Sequence, residues 1–236
     1  VTTKIAVSEL TNILFARGYA YDILRRFFVE EPSKEYVKHF VQQNMLEQFP
    51  FINDSEGIQQ GVNEVKQYLN EYDIVNNLTH FDDLHWDYTR MFIGPFELPV
   101  PPWESVYTSK ESLLFQKTTM DVRKEYRKFD IEVKELNLEA DDHIGLELDF
   151  MYHLNELCMK SANEQTEHSF KEIHYLLQEQ QDFLQTHLLS FVSQFTDKVI
   201  ESADTKFYAG MAKILKHYLQ MDSEVLKELL IIDLTY

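Results

Sequence analysis

Asp87-Tyr88-Thr89-Arg90-Met91-Phe92-Ile93-Gly94-Pro95, running on into Leu98-Pro99-Val100-Pro101-Pro102-Trp103-Glu104-Ser105-Val106-Tyr107, holds four of the six prolines in this chain. Proline fixes its own φ, removes a backbone donor and drives the preceding residue out of the helical region. This stretch therefore reads as a rigid, extended, apolar loop set between helices. Outside it, breakers are scarce: glycine occurs six times in 236 residues, and alternating β-type runs are few. That balance indicates an all-α protein.

Working outward, Leu10, Leu14, Tyr21, Leu24 and Phe28 recur at helical steps, with Arg17 in the one gap. They mark one face of a long helix that stops at Pro32, after which Ser33 can cap the next. Further helices are expected over about 34–47, 56–70 and 76–92, and from a cap at Ser109 to about 127. After the acidic link at 137–142 comes a helix over about 142–163. It is apolar on most of its circumference, with Asp149, His153 and Glu156 as a narrow polar strip, so it reads as the buried centre of the bundle. One long helix is expected over 169–200, carrying Leu184, Leu188, Phe191 and Phe195, then two more over 204–219 and 223–230. With no repeat of fixed period and no composition break, residues 1–236 read as a single multi-helix bundle of about eight to ten helices.

Charge excludes one class of partner. The chain carries 22 basic against 40 acidic residues, a net −18, whereas phosphate backbones require clustered Lys and Arg. No apolar run approaches the roughly 20 residues of a membrane span, and the amino terminus has no signal-peptide core. The single cysteine, Cys158, fits a reducing compartment and reads as inert core. A cytoplasmic protein without stable membrane insertion is expected.

Enzyme signatures are missing. There is no phosphate-binding G-x-x-x-x-G-K-[ST], no G-x-S-x-G and no H-E-x-x-H. None of the nine histidines has a glutamate three residues before it, as a helical di-metal site would use. Neither a cofactor nor a metal is indicated. Three features keep two readings each. His143 and Glu147, four apart, make either a structural lock or a buried ionisable site beside a cleft. Trp103 and Tyr107 either plug the bundle end or form a binding wall whose ordering entropy the prolines have already removed. His187, in an apolar stripe, reads as a satisfied core histidine.

These residues resemble the TorD/DmsD family of cytoplasmic chaperones for molybdenum-containing reductases. The resemblance lies in three blocks. The first is Tyr88-x-Arg90-x-Phe92-x-Gly94-Pro95, with Pro101-Pro102-Trp103 and Ser105-Val106-Tyr107. The second is Glu139-Ala140-Asp141-Asp142-His143, followed by Gly145, Glu147, Leu148, Phe150 and Met151. The third is Gln181-x-Phe183-Leu184-x-x-His187-Leu188, with Phe195 and Phe207-Tyr208. Ala140 stands where the family has proline, and Glu104 where it often has glycine.

The resemblance implies an all-helical fold and no catalysis. The implied partners are the twin-arginine signal peptide and the apoprotein of a reductase catalytic subunit, held until its molybdopterin is inserted. Asp142, His143, Pro102 and Trp103 would line the peptide site, joined by Tyr107, Glu139 and Glu147. Tyr88, Arg90, Phe92, Gly94, Pro101 and Ser105 would support it. Glu104, Glu139, Asp141 and Asp142 are the carboxylates nearest to hand for the leader's two guanidiniums. Two other classes stay open: an acidic adaptor for folded partners, and a metal- or nucleotide-dependent helical enzyme. A monomer and a homodimer are both compatible with such a bundle.

Overall fold

The structure is a computed structural model that describes residues 4–94, 97–109, 117–133, 140–164 and 166–235. Its helices are α1 (Val7–Phe28), α2 (Lys34–Gln42), α3 (Glu56–Glu71), α4 (Leu78–Phe92), α5 (Glu104–Thr108), α6 (Lys117–Arg127), α7 (Ile144–Glu164), α8 (Glu167–Phe183), α9 (Leu189–Ser202) and α10 (Lys206–Leu230). The all-α bundle expected from the sequence is the fold observed. The two pieces of extended chain that pair, β1 (Lys4–Ala6) and β2 (Asp233–Thr235), form a short parallel ladder that the sequence reading did not anticipate.

Short polar side chains set the helix starts. Ser33 accepts from Tyr36 N–H, Ser55 from Ile58 N–H and Asn77 from Thr79 N–H, each satisfying a donor that the first turn leaves free. The second helix ends earlier than expected because Asn44 takes a left-handed conformation (φ 49°), and Met45–Gln48 follow as a 3-10 turn. Between α8 and α9 the helix continues through a π turn at Leu184–Leu188. The expected break near residue 220 is absent, and α10 runs 25 residues without interruption. Asp222 and Ser223, which resemble a cap in sequence, are buried inside the helix packing instead.

Two helix pairs make the centre: α1 lies along α7, and α3 along α10. The second pair is close because glycines face each other. A Cβ on Gly61 would stand 2.6 Å from the Gly210 carbonyl oxygen, and a Cβ on Gly210 equally near that of Gly61. Aromatic rings fill the space between the pairs. Phe27 packs on Phe40 and Phe207, and Phe28 and Phe92 pack on Phe195.

One charged side chain lies at the middle of this packing. Arg17, 1 % exposed, donates from Nε and Nη2 to the two oxygens of Asp222 at 2.6 and 3.0 Å. Its Nη1 reaches Asn155 Oδ1 (2.9 Å) and Gln180 Oε1 (2.8 Å), and the Tyr21 hydroxyl completes Asp222 at 2.7 Å. Helices α1, α7, α8 and α10 thus meet at one guanidinium. Arg17→Ala leaves Asp222 charged and unpaired, and should cost about 3–5 kcal/mol of unfolding free energy. Replacing both partners by apolar side chains, Arg17→Met with Asp222→Leu, should recover most of that loss. Urea unfolding of wild type and the two variants measures both effects.

Candidate functional site

The proline loop and the start of α7 are joined by backbone. Trp103 and His143 face each other in an antiparallel bridge, made by Ile144 N–H donating to Pro102 O (2.8 Å) and Glu104 N–H to Asp142 O (2.9 Å). Their rings meet edge to face at 6.3 Å. The loop is closed on itself as well: the Tyr107 hydroxyl donates to Pro101 O at 2.7 Å, so residues 101–107 form a ring stiffened by two prolines. The part of that ring after Trp103 belongs to α5, a helix the sequence reading did not separate from the loop. Ser109 is the residue that ends α5, and its expected role as a cap for α6 falls on residues 110–116, outside those described.

Gly145 lets this happen. Any Cβ there would lie 2.3 Å from the Val29 Cα, so a side chain would push the start of α7 off the end of α1. Gly145 N–H also donates to His143 Nδ1 at 3.1 Å. A neutral His143 therefore carries its proton on Nε2. The expected four-residue lock between His143 and Glu147 does not form. His143 lies before the first turn of α7, in the bridge, and its Nδ1 is taken by the backbone.

Glu147 turns inward. It is fully buried, and neither of its oxygens accepts a hydrogen bond among the described residues. Burial first, then the Glu104 and Asp142 carboxylates, push its pKa well above the ordinary 4.5. Protonated, it has one hydrogen to give, and Glu104 is the acceptor beside it. Glu104 itself is buried against the π turn, where His187 Nδ1 lies 2.9 Å from its Oε2 and Ser190 Oγ 3.3 Å from its Oε1. Asp142, also fully buried, accepts from Ser105 N–H at 2.8 Å through Oδ2, while its Oδ1 has no partner among the described residues. Asp141 is held by Arg123 at 2.6 Å. The Tyr126 hydroxyl holds the Asp141 carbonyl.

The structure thus brings Pro101, Pro102, Trp103, Ser105, Tyr107, Asp142, His143 and Glu147 together. Trp103 and Tyr107 keep part of their surface exposed, whereas Asp142 and Glu147 have none. Glu139 lies outside the described residues. Tyr88 and Phe92 are core, packed on Tyr208 and on each other. Gly94 meets nothing nearer than 3.6 Å where a Cβ would stand. Arg90 ties α4 to the α9–α10 corner through Asp87, Asp204 Oδ2 (2.8 Å) and the Ser202 carbonyl. Asp87 in turn accepts from Asp204 and Thr205 N–H. The Glu104–His187 contact was missed from sequence, since the two residues lie 83 positions apart. Its one trace was a histidine in an apolar stripe.

A family model described as nitrate reductase delta subunit matches residues 53–197, a span that includes Trp103, His143 and His187. Over 94 % of its length the chain is 26 % identical to a chaperone protein TorD of Vibrio cholerae, covering 97 % of that protein. It is 25 % identical to TorD of Aliivibrio salmonicida over 93 % of this chain and 99 % of the relative. It is 30 % identical to the Tat proofreading chaperone DmsD of Salmonella typhimurium over 58 % of this chain and 60 % of that one. The chain belongs to the TorD/DmsD family of chaperones. Within this family member, no helix among the described residues is long and apolar enough to cross a membrane. Nor do three or more His, Cys, Asp or Glu side chains among them converge as metal ligands.

Glu147 gives a pH test. Because its folded-state pKa is raised, its contribution to stability is fully present below 4.5 and is lost as the pH climbs towards the folded-state value. Glu147→Gln, which keeps the shape and a hydrogen to donate, should unfold with wild type at pH 4 and at higher urea than wild type at pH 8. A variant less stable than wild type at pH 8 would contradict this assignment.

Proposed function

We propose that this chaperone works in the cytoplasm and binds the twin-arginine signal peptide and apo catalytic subunit of a molybdopterin-containing reductase, holding both until cofactor insertion. The observation that carries this reading is the bridge between Trp103 and His143. It fixes a stiff proline–tryptophan wall against the entrance of the central helix. A twin-arginine leader consists of a cationic segment followed by an apolar one of about 7–15 residues. The partly exposed Trp103 and Tyr107, rigid before binding, suit the apolar segment: little ordering entropy is lost when they are covered. Tyr107 is stacked on Phe191, so its ring is positioned from behind. The relatives named TorD and DmsD support a chaperone in place of an enzyme, and the second carries Tat proofreading in its name.

The carboxylates expected to receive the guanidiniums at this wall are engaged. Glu104 meets His187, Asp141 meets Arg123 and Asp142 meets Ser105, and all three are buried. What remains at the wall is apolar. It follows that Trp103→Ala should weaken a synthetic leader by roughly 30-fold, about 2 kcal/mol. The probe is a peptide with an arginine pair followed by a twelve-residue alanine/leucine stretch, titrated by calorimetry. An adaptor that docks folded partners through its acidic surface would bind that peptide with and without Trp103 equally, or not at all.

A further inference from the structure

A second cleft opens on the other side of α4. Tyr68 and Tyr72, at the end of α3, face Asp83, Trp86, Asp87 and Arg90 on α4, with Asp204 and Thr205 at the start of α10 closing the end. Its volume is about 420 Å³. Trp86 stands at its rim 64 % exposed, a large indole that the core does not use. The Tyr68 and Tyr72 rings lie 4.7 Å apart and form the opposite wall.

The charge in the cleft is unbalanced. Three carboxylates, Asp83, Asp87 and Asp204, line it against the single guanidinium of Arg90. Arg90 is already satisfied by Asp87, Asp204 and the Ser202 carbonyl. Asp83 makes no ion pair among the described residues. Tyr68 is 5 % exposed, and its hydroxyl, beside Asp83 and Asp87, has no hydrogen-bond partner among the described residues. A buried hydroxyl, a free carboxylate and an uncovered indole around one cavity match a planar cation. It can stack on the ring while its N–H groups meet the oxygens.

Resting on the leader reading above, we propose that this cleft seats the arginine pair of the twin-arginine leader, while the Trp103 wall takes its apolar stretch. Helix α9 connects the two places. Ser190 near its start contacts Glu104, and Ser202 at its end receives Arg90. Those twelve steps span about 18 Å at ~1.5 Å per residue. A helical apolar segment of about 7–15 residues covers about 10–22 Å, so one leader reaches both. The wall end also repels a cation, since Lys198 lies over the Tyr107 ring at 5.2 Å.

Two synthetic peptides test this, identical in their alanine/leucine stretch and differing in an Arg-Arg or a Gln-Gln pair before it. Wild type should prefer the first by about tenfold or more. Asp83→Asn with Trp86→Ala, both at exposed positions, should bind the two peptides alike, at the wild-type affinity for Gln-Gln. Trp103→Ala should weaken both and keep their ratio. If the double variant still prefers Arg-Arg as wild type does, the cleft is not the seat and the leader reading stands. A Lys-Lys peptide that binds as well as Arg-Arg overturns guanidinium recognition. If wild type binds neither peptide, the leader reading and this seat fall together. As a second readout, Trp103→Phe leaves Trp86 as the one tryptophan of the chain. Its emission should shift with the Arg-Arg peptide and stay unchanged with Gln-Gln.

Discussion

The bundle depends on a buried ion pair, Arg17 with Asp222, more than on any single apolar contact. Removing two charges from water is costly, and the attraction between them offsets that only when geometry is good and every remaining donor is used. Here the fork is bidentate, and Nη1 finds both Asn155 and Gln180. Few arrangements of four helices can satisfy that guanidinium, so the pair selects one register among the many that the apolar surface alone would accept. With α1 fixed along α7, the end of α1 at Val29 meets Gly145. The start of α7, with its His143, is thereby positioned for Trp103.

The same logic recurs at the bridge with a different outcome. Glu104, Asp142 and Glu147 form a sealed carboxylate cluster with one imidazole, His187, and no guanidinium. It persists because Glu147 gives up its charge and because backbone N–H groups and His187 serve the others. The π turn that carries His187 widens the helix there, and such turns place side chains that a regular helix would direct elsewhere. The proline wall is thus braced from beneath by hydrogen bonds that close before any peptide arrives.

Much of this was legible in the sequence. The apolar stripe of α1, including the gap at Arg17, the polar strip of α7 and the proline loop are local patterns with a fixed period, and they are found where expected. The pairing of Trp103 with His143 came from a family resemblance and not from spacing. What could not be read was long-range. Glu104 and His187 share no periodicity, and Asp222 in sequence resembles a helix stop because its partner is 205 residues away. Asn44 bends the chain by a backbone angle that many residues avoid but asparagine tolerates. The candidate site was visible as a set of residues, whereas the direction each one faces was not. Asp142 and Glu147 face inward, and that changes what the site can bind.

That inward turn separates two tasks which the sequence seemed to assign to one place. An apolar segment is best received by rigid, dry rings, and a nearby exposed carboxylate would keep water there and weaken the contact. A guanidinium has the opposite need: carboxylates that stay ionised, and a ring face within reach. Placing both in one pocket compromises each. With its net −18 distributed over the surface, the chain attracts a cationic leader from any side, so attraction alone carries no selectivity. Selectivity comes from spacing: a peptide is held firmly only if its cation and its greasy stretch are separated by the length of α9, and a partner with either part alone gains half the contact.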